Sequence, residues 1–345
     1  MSTKLRRKFK ELAAIEDCVA LCKSSPEGKV KIEAEVSYRN ELFPIYSFTF
    51  GSRDENAPTL AFVAGVHGLE KIGSHILTSF LSSTIQLLTI DKTLSELIKD
   101  IRLVFIPLVN PVGMYANRRS NGQGIDLMRN APIDSAENGI PLVRGHRISS
   151  RLPWYRGKDE NCLQTEAKAV IDVIKKTCFK SKASVVLDLH SGFGLVDRLW
   201  FPHAHSTKPI ADIGRIYALK SFIDISIPHH NYRIEPQHKA YTTHGDIWDY
   251  LYLESKKNNP KSIFCPFSLE MGSWLWVKKN PIQIFSSLGM FNPIRPHRVR
   301  RIHRRHYSLL NVLLKAIAST DAWATIDQKT KRQLDKKALE LWYAG

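Results

Sequence analysis

Two histidines and two glutamates follow three runs of apolar residues, each at the point where a predicted buried strand ends. They are His67 and Glu70 after strand Thr59–Val66, His190 after strand Ser184–Leu189, and Glu270 after strand Ser262–Leu269. In α/β sheets, functional sites form in crevices at the carboxyl ends of the strands. We therefore expect these four side chains to meet at one edge of a sheet.

The types and spacing of these residues suit a metal ion. His67 and Glu70 form an i, i+3 pair on one side of a turn, and His190 lies 120 residues beyond Glu70 as a third ligand. Two imidazoles and one carboxylate leave a position open for water, which is typical of catalytic rather than structural zinc. Zinc would acidify that water and polarise a carbonyl group. Glu270 is then the candidate general base, which takes a proton from the water and hands it to the leaving amine.

The segment from Pro107 to Glu160 carries further motifs. It is rich in glycine, proline, asparagine and arginine and has little periodicity, and long irregular segments in compact domains usually carry function. Its motifs are Asn110-Pro111-Val112-Gly113, then Arg119-Ser120-Asn121, then Gly124-Ile125-Asp126-Leu127-Met128-Arg129-Asn130.

Together with the histidines and glutamates, these motifs resemble the zinc carboxypeptidases of the carboxypeptidase A type. That family shows H-x-x-E, then N-P-D-G, R-x-N and G-[VI]-D-L-N-R-N, then a third histidine and a late glutamate. The elements occur here in the same order over residues 30 to 315. An H-x-x-E pair alone is a weak signal, whereas the full ordered set is specific.

The resemblance implies a role for each matching residue. It implies one zinc ion on His67, Glu70 and His190. The catalytic residues that it implies are Glu270 as the base and Arg119 as the arginine that polarises the scissile carbonyl, with the adjacent Arg118 as the alternative. The remaining matches are Asp126, which orients a zinc-bound histidine, Arg129 and Asn130, which bind the terminal carboxylate of the substrate, and Tyr241, which covers the substrate.

Two positions depart from the family pattern. Val112 replaces the aspartate of N-P-D-G, and Met128 replaces the asparagine that shares carboxylate recognition with the arginine. Methionine offers only a weak sulfur acceptor, and losing a donor to a charged ligand costs ~1.5–3 kcal/mol. The sequence therefore predicts zinc-dependent hydrolysis of a substrate other than an ordinary protein C-terminus. Asp246 is interpreted as a helix N-cap, with recognition of a basic side chain as the alternative.

Composition and charge narrow the class of protein further. The 345 residues include 50 lysines and arginines against 33 acidic residues, a net charge of +17, and 43% are hydrophobic. Disorder, collagen and coiled coil are excluded as the main description. We assign the basic residues of Arg118–Arg156 to an anionic substrate and interpret Arg295–His306 as a solvated face, with nucleic acid as the less favoured alternative.

Location and partners are also predicted. No apolar run reaches the ~18 residues of a membrane span, so no membrane partner is expected. Five scattered cysteines without a C-x-x-C pair favour a reducing compartment, the cytoplasm. The expected partner is a peptide or acyl-amino-acid substrate with an anionic group, and the oligomeric state is open.

Strands that alternate with helices predict the fold class, an α/β protein with helices on both faces of the sheet. The resemblance implies that this sheet is mixed, mostly parallel and enclosed between helix layers, an α/β/α architecture. We divide the chain into an N-terminal helical extension (1–29), a catalytic domain (30–320) and a C-terminal helix (321–345). Pro266 predicts an edge position or a bulge for the last strand, and a further helix is predicted over Pro281–Met290.

The predicted function is that of a metallocarboxypeptidase-like hydrolase, which cleaves an amide bond next to an anionic end of a peptide. Glu270 would activate the zinc-bound water. One alternative keeps the fold and the metal but acts as a deacylase of N-acyl amino acids or as a cell-wall peptide amidase. An alternative of another class is a non-catalytic basic protein that binds zinc only for structure.

Overall fold

Eight strands form one mixed sheet in the computed structural model, which describes residues 3–23, 27–140, 142–160, 162–286 and 288–344. The strands are β1 (Gly28–Tyr38), β2 (Glu41–Gly51), β3 (Thr59–Ala64), β4 (Arg102–Ile106), β5 (Ser184–Ser191), β6 (Arg198–Phe201), β7 (Arg233–Pro236) and β8 (Phe264–Met271). Their order across the sheet is β1-β2-β4-β3-β5-β8-β6-β7. Strands β4, β3, β5 and β8 run parallel, whereas β1–β2, β2–β4 and β6–β8 are antiparallel. The predicted fold class is confirmed.

Helices cover the sheet and pack against one another in groups. They are α1 (Thr3–Lys8), α2 (Lys10–Lys23), α3 (Lys71–Leu87), α4 (Lys92–Ile98), α5 (Pro111–Tyr115), α6 (Thr165–Cys178), α7 (Ile213–Ser226), α8 (Ile247–Asn258), α9 (Trp274–Lys279), α10 (Pro296–Ala318) and α11 (Gln328–Tyr343). Helix α10 contacts α3 and α7, while α6 contacts α8. The long helices bury one apolar stripe each, such as Leu309, Leu313 and Ile317 of α10, because helical periodicity repeats that face.

The central strands position the candidate site. Every residue of β3, β4 and β5 is buried, as expected for parallel strands covered on both faces. Strands β3, β5 and β8 are neighbours and run in the same direction, so their carboxyl ends meet at one edge of the sheet. The register pairs His190 of β5 directly with Glu270 of β8.

The expectation drawn from Pro266 was wrong. Strand β8 lies inside the sheet between β5 and β6, and its register with β5 runs without a bulge from Phe264 to Met271. Strand β6 pairs only with residues Ser268 to Glu270 of β8. Pro266 therefore lies beyond the end of β6, where the missing N–H of proline removes no ladder hydrogen bond on that side.

The prediction of a helix over Pro281–Met290 is also wrong. Residue 287 of that segment lies outside the described residues. Only Pro281–Phe285 is helical, as a short 3₁₀ helix, and its apolar residues Ile282 and Phe285 face solvent instead of the core. The segment Arg295–His306, interpreted as a solvated basic face, forms the first turns of helix α10, which starts at Pro296.

A charged contact joins the N-terminal helix α2 to helix α3, and it predicts that the stability of the fold depends on pH. The carboxylate of Glu11 lies 3.1 Å from Nζ of Lys71 and 3.5 Å from Nε2 of His75, both on α3. Burial by itself raises the pKa of Glu11, but hydrogen bonding from His75 and the charge of Lys71 outweigh it and hold the pKa at about 2. A carboxyl pKa depressed by folding contributes stability above its unfolded value of 4.5, and that stability is lost as the pH falls toward 2.

Replacing Glu11 with glutamine is expected to lower the free energy of unfolding at pH 7 by about 2 kcal/mol. Because the carboxylate contribution disappears in acid, the difference between wild type and variant should shrink as the pH is lowered from 4.5 toward 2. Urea denaturation across that range measures it, with the exposed Glu96→Gln as the control. A difference that stays constant over the whole range would contradict this assignment.

Candidate active site

His67, Glu70 and His190 converge at the carboxyl ends of β3 and β5. All three are buried, and their candidate ligand atoms lie within 4.8 Å of one another. Oε2 of Glu70 is 3.1 Å from Nδ1 of His190. The turn that carries the first two residues needs Gly68, because a Cβ at that position would lie 2.0 Å from the carbonyl carbon of Gly113. The structure thus brings together the three predicted metal ligands.

The donor set fits zinc. Two imidazoles and one carboxylate form the three-ligand set of catalytic zinc sites. Within the part of the chain that the structure describes, the buried Nδ1 of His67 has no hydrogen-bond partner. A buried polar atom without a partner is costly, and a metal ion would satisfy it.

Each histidine also lies beside a further carboxylate. Nε2 of His190 is 2.6 Å from Oδ2 of Asp188, and that oxygen accepts a second hydrogen bond from the indole of Trp248 at 2.9 Å. Oδ1 of Asp126 is 3.7 Å from Nδ1 of His67. Asp188 lies on the nitrogen of His190 opposite the one that faces Glu70, where such a partner orients a ligating histidine and raises its basicity. Asp126 faces the same nitrogen of His67 that is free for the metal, so its role in orienting that histidine stays a prediction. Sequence reasoning identified Asp126 but missed Asp188, although a residue two positions before a strand histidine shares its face of the sheet.

Arg119, and not Arg118, is directed to this cluster. Its Nη2 lies 2.7 Å from Nε2 of His67, and its Nε donates to Oδ2 of Asp126 at 2.8 Å. Arg118 instead lies over the ring of Tyr38, 5.6 Å from the centroid. Burial opposes ionisation of Asp126, but the charge of Arg119 overcomes it and holds the pKa of that carboxyl far below its ordinary value. Of the two adjacent arginines, Arg119 is the one that lies at the ligand cluster, and its action on the scissile carbonyl stays a prediction.

Glu270 supplies a carboxyl group with a free oxygen at the same site. It lies beside His190 in the sheet, and its Oε2 is buried without a hydrogen-bond partner among the described residues. Burial and the negative charge of Glu70 raise the pKa of Glu270 to about 8, while His190 and Arg119 oppose the shift. A basic, incompletely bonded carboxylate is what a general base requires.

The other side of the cavity holds residues suited to an anionic group. Arg129 and Tyr241 line the same cavity as Glu270, and the guanidinium carbon of Arg129 is 5.9 Å from the centre of the Tyr241 ring. Arg129 is buried, and its Nε donates to the carbonyl of Val143 at 3.3 Å. Met128, the departure from the family pattern, also lines this cavity.

The sequence profile of the family described as zinc carboxypeptidase matches residues 22–274, which is more than half of the 345-residue chain. The chain belongs to the zinc carboxypeptidase family. It is accordingly a zinc metallopeptidase, and the resemblance drawn from its motifs is confirmed. No curated protein matches this chain by sequence.

Solved structures share the fold of this chain at low sequence identity. Thrombin-activatable fibrinolysis inhibitor is 18% identical with a TM-score of 0.65, over 91% of this chain and 74% of that one. The bovine form of that protein, in complex with tick carboxypeptidase inhibitor, is 16% identical with a TM-score of 0.57, over 95% and 97% of the two chains. Carboxypeptidase A from Helicoverpa armigera is 16% identical with a TM-score of 0.64, over 88% and 71%. None of the helices described in this chain is both long and apolar enough to cross a bilayer.

Asn130 is not among the residues that line the cavity. Its Nδ2 donates to the carbonyls of Arg156 at 3.0 Å and Cys162 at 3.2 Å, and its Oδ1 accepts from the amide of Gln164 at 2.7 Å. The short 3₁₀ helix Leu127–Arg129 turns the chain, so the side chains of residues 129 and 130 diverge. The predicted substrate-binding role of Asn130 is therefore replaced by a role in holding the long loop.

Asp246 is the N-cap of α8, as interpreted, and it also borders the cavity. Its Oδ1 accepts from the amides of Trp248 at 2.9 Å and Asp249 at 3.0 Å, whereas its Oδ2 is buried without a partner among the described residues. Burial and the neighbouring Asp249 raise its pKa to about 7. The preceding Gly245 has a φ of +68°, and a Cβ there would lie 1.9 Å from the carbonyl oxygen of Arg129. This contact fixes the backbone that carries Arg129.

Replacing Asp188 with asparagine is expected to lower the affinity for zinc about 10–100-fold. The amide keeps the shape of the side chain but loses the charge that orients His190 and increases its basicity. Competition with a chromophoric chelator measures the affinity, with the exposed Asp172→Asn on α6 as the control. Equal zinc affinities of Asp188→Asn and wild type would show that Asp188 only packs beneath the site.

Proposed function

We propose that this chain is a zinc-dependent hydrolase of an amide bond next to an anionic end of its substrate, using one zinc ion. The observation that carries the proposal is the free Oε2 of Glu270 in the cavity that also holds Arg119 and the ligand cluster. A structural zinc site has no use for a general base and an arginine aimed at its ligands. This argues against the non-catalytic alternative.

His67, Glu70 and His190 would hold the zinc ion. The bound zinc would make its water more acidic and would polarise the scissile carbonyl. Glu270 takes the proton of the attacking water on Oε2 and returns it to the leaving nitrogen. Arg119 donates hydrogen bonds to the carbonyl oxygen as negative charge develops there. Since Asp126 holds the guanidinium at 2.8 Å, Arg119 is oriented before the substrate arrives.

Arg129 and Tyr241 form the proposed contact for the anionic end of the substrate. Arg129 can offer a bidentate fork to a carboxylate, and the aromatic ring stacks beside it. Met128 stands where the family has a second donor, so a free terminal carboxylate is held less tightly than in relatives with asparagine. We therefore propose a substrate whose anionic group is not the ordinary C-terminus of a protein.

Paired peptides with a free or an amide-blocked C-terminus test this substrate assignment. Wild type should hydrolyse both at similar rates. Met128→Asn should bind the free acid about 10–100-fold more tightly, because a donor to a charged group contributes ~1.5–3 kcal/mol. The amide-blocked peptide serves as the control and should not gain. Strict dependence of wild type on a free carboxylate would sink the substrate proposal without affecting the zinc chemistry.

A second candidate substrate is favoured by the free Oδ2 of Asp246. A buried carboxylate oxygen near Arg129 suits an end group that carries both an amine and a carboxylate. Cell-wall peptides with a diamino acid have that chemistry, as the alternative drawn from the sequence anticipated. Removal of acyl groups from amino acids uses the same zinc chemistry and stays a prediction, as does location in the cytoplasm.

A further inference from the structure

Residues 271–320 form an unusually basic stretch that the proposed hydrolysis does not use. They contain no aspartate or glutamate and nine lysines and arginines, although the whole chain has 33 acidic residues. The stretch runs from the last residue of β8 through α9 and all of α10. The stretch therefore begins at the end of the strand that carries Glu270, the proposed base.

Exposed apolar side chains lie in the middle of this basic stretch. We call them the apolar loop: Ile282, Ile284, Phe285, Met290 and Ile294, with exposed fractions of 77%, 50%, 90%, 40% and 52%. The loop has a fixed base, since Gln283 is buried and its Nε2 donates to the carbonyl of Gly289 at 2.6 Å. A cluster of large exposed apolar side chains on a soluble domain marks an interaction surface.

Basic side chains flank the apolar loop on both sides. Arg298 joins the start of α10 to the end of α9, donating to the carbonyls of Trp276 at 3.1 Å and Lys279 at 3.2 Å. The exposed members, which we call the basic flank, are Lys278, Lys279, Arg295, Arg300 and Arg301. Apolar tips between cations match the boundary between acyl chains and headgroups of an anionic membrane.

We propose that the apolar loop and the basic flank dock the protein on the surface of an anionic lipid bilayer. The apolar side chains enter the interface while the cations pair with lipid headgroups. A second copy of the chain would bring two strongly basic surfaces together, which repel each other. A nucleic acid would match the positive charge, but it would not bury the exposed isoleucine side chains, because single strands bind proteins through stacking on aromatic rings. The expectation of no membrane partner rested on the missing span, which surface docking does not require.

Co-sedimentation with vesicles tests the proposal. The zinc-loaded full chain should bind vesicles that contain phosphatidylglycerol and not vesicles of phosphatidylcholine alone, and added salt should weaken binding. The double variant Ile282→Ser, Phe285→Ser should bind at least ~10-fold more weakly. The matched control is Ile90→Ser, Ile225→Ser, whose side chains are 77% and 81% exposed elsewhere on the surface and should not affect binding.

The charges are tested separately. Arg300→Gln, Arg301→Gln should weaken binding to the anionic vesicles roughly fivefold per charge, and Lys336→Gln, Lys337→Gln on α11 serves as the control. Unchanged thermal unfolding and zinc content show that each variant is folded. The proposal would be overturned if the protein sedimented equally with both vesicle types or with neither. It would also be overturned if the protein bound an oligonucleotide more tightly than the vesicles at the same salt concentration, or if it formed dimers without lipid and the variant Ile282→Ser, Phe285→Ser was monomeric.

Discussion

Replacing Glu270 with glutamine is expected to lower the hydrolysis rate by about 10²–10⁴-fold, the contribution of a positioned general base. Glutamine keeps the size of the side chain and its place beside His190 but cannot take a proton from water. Binding of zinc should remain close to that of wild type, because Glu270 is not one of the three clustered ligands. Rates under saturating substrate and zinc content by atomic absorption measure the two effects.

The control for this prediction is Glu340→Gln, a change of the same type on an exposed side chain of α11. It should leave both rate and zinc content unchanged. If Glu270→Gln retained the wild-type rate, proton transfer would have to be assigned to another group, and the roles given to this cavity would fail.

Replacing Glu70 with glutamine is expected to abolish hydrolysis by removing the metal. The neutral amide is a much weaker zinc ligand, so the affinity should fall by more than the ~100-fold that loss of an outer carboxylate causes. The carboxylate of Glu70 also accepts a hydrogen bond from the backbone amide of Ser191 at 2.9 Å. Because a neutral amide oxygen is a weaker acceptor than a carboxylate, the substitution weakens the end of β5 as well. Zinc titration measures the affinity, and thermal unfolding shows whether the variant is folded.

Chelation provides the matched experiment without a mutation. Wild type dialysed against a strong chelator should lose its activity and regain it when zinc is added, whereas Glu70→Gln should not recover at the same zinc concentration. Full activity of a folded Glu70→Gln variant at wild-type zinc affinity would exclude Glu70 as a ligand.

The positions of the metal ligands could be predicted from the sequence because parallel strands bring their ends together. Once Thr59–Val66 and Ser184–Leu189 were identified as strands, His67 and His190 had to lie near each other. The same reasoning could have found Asp188, which faces the same way as His190 in β5. The prediction stopped at the motif and did not extend to its partners within the strand.

Other features depend on tertiary contacts that no local pattern reports. Asn130 follows Arg129 in the motif, yet one turn of 3₁₀ helix sends its amide into the loop. Pro266 is tolerated inside the sheet only because β6 is short. The apolar residues after Pro281 have a helix-like spacing, but few groups cover them, so burial does not follow the pattern.

Zinc-dependent hydrolysis of an amide bond is tested by incubating the zinc-loaded protein with a mixed library of peptides and acyl amino acids and reading the products by mass spectrometry. We expect products of amide cleavage from the wild type, none from the chelated protein, and at least about 10²-fold less product from Glu270→Gln. The products that appear would also separate peptide hydrolysis from deacylation. The proposed zinc-dependent hydrolysis would be contradicted if the zinc-loaded wild type cleaved no member of the library, or if Glu270→Gln cleaved it equally well.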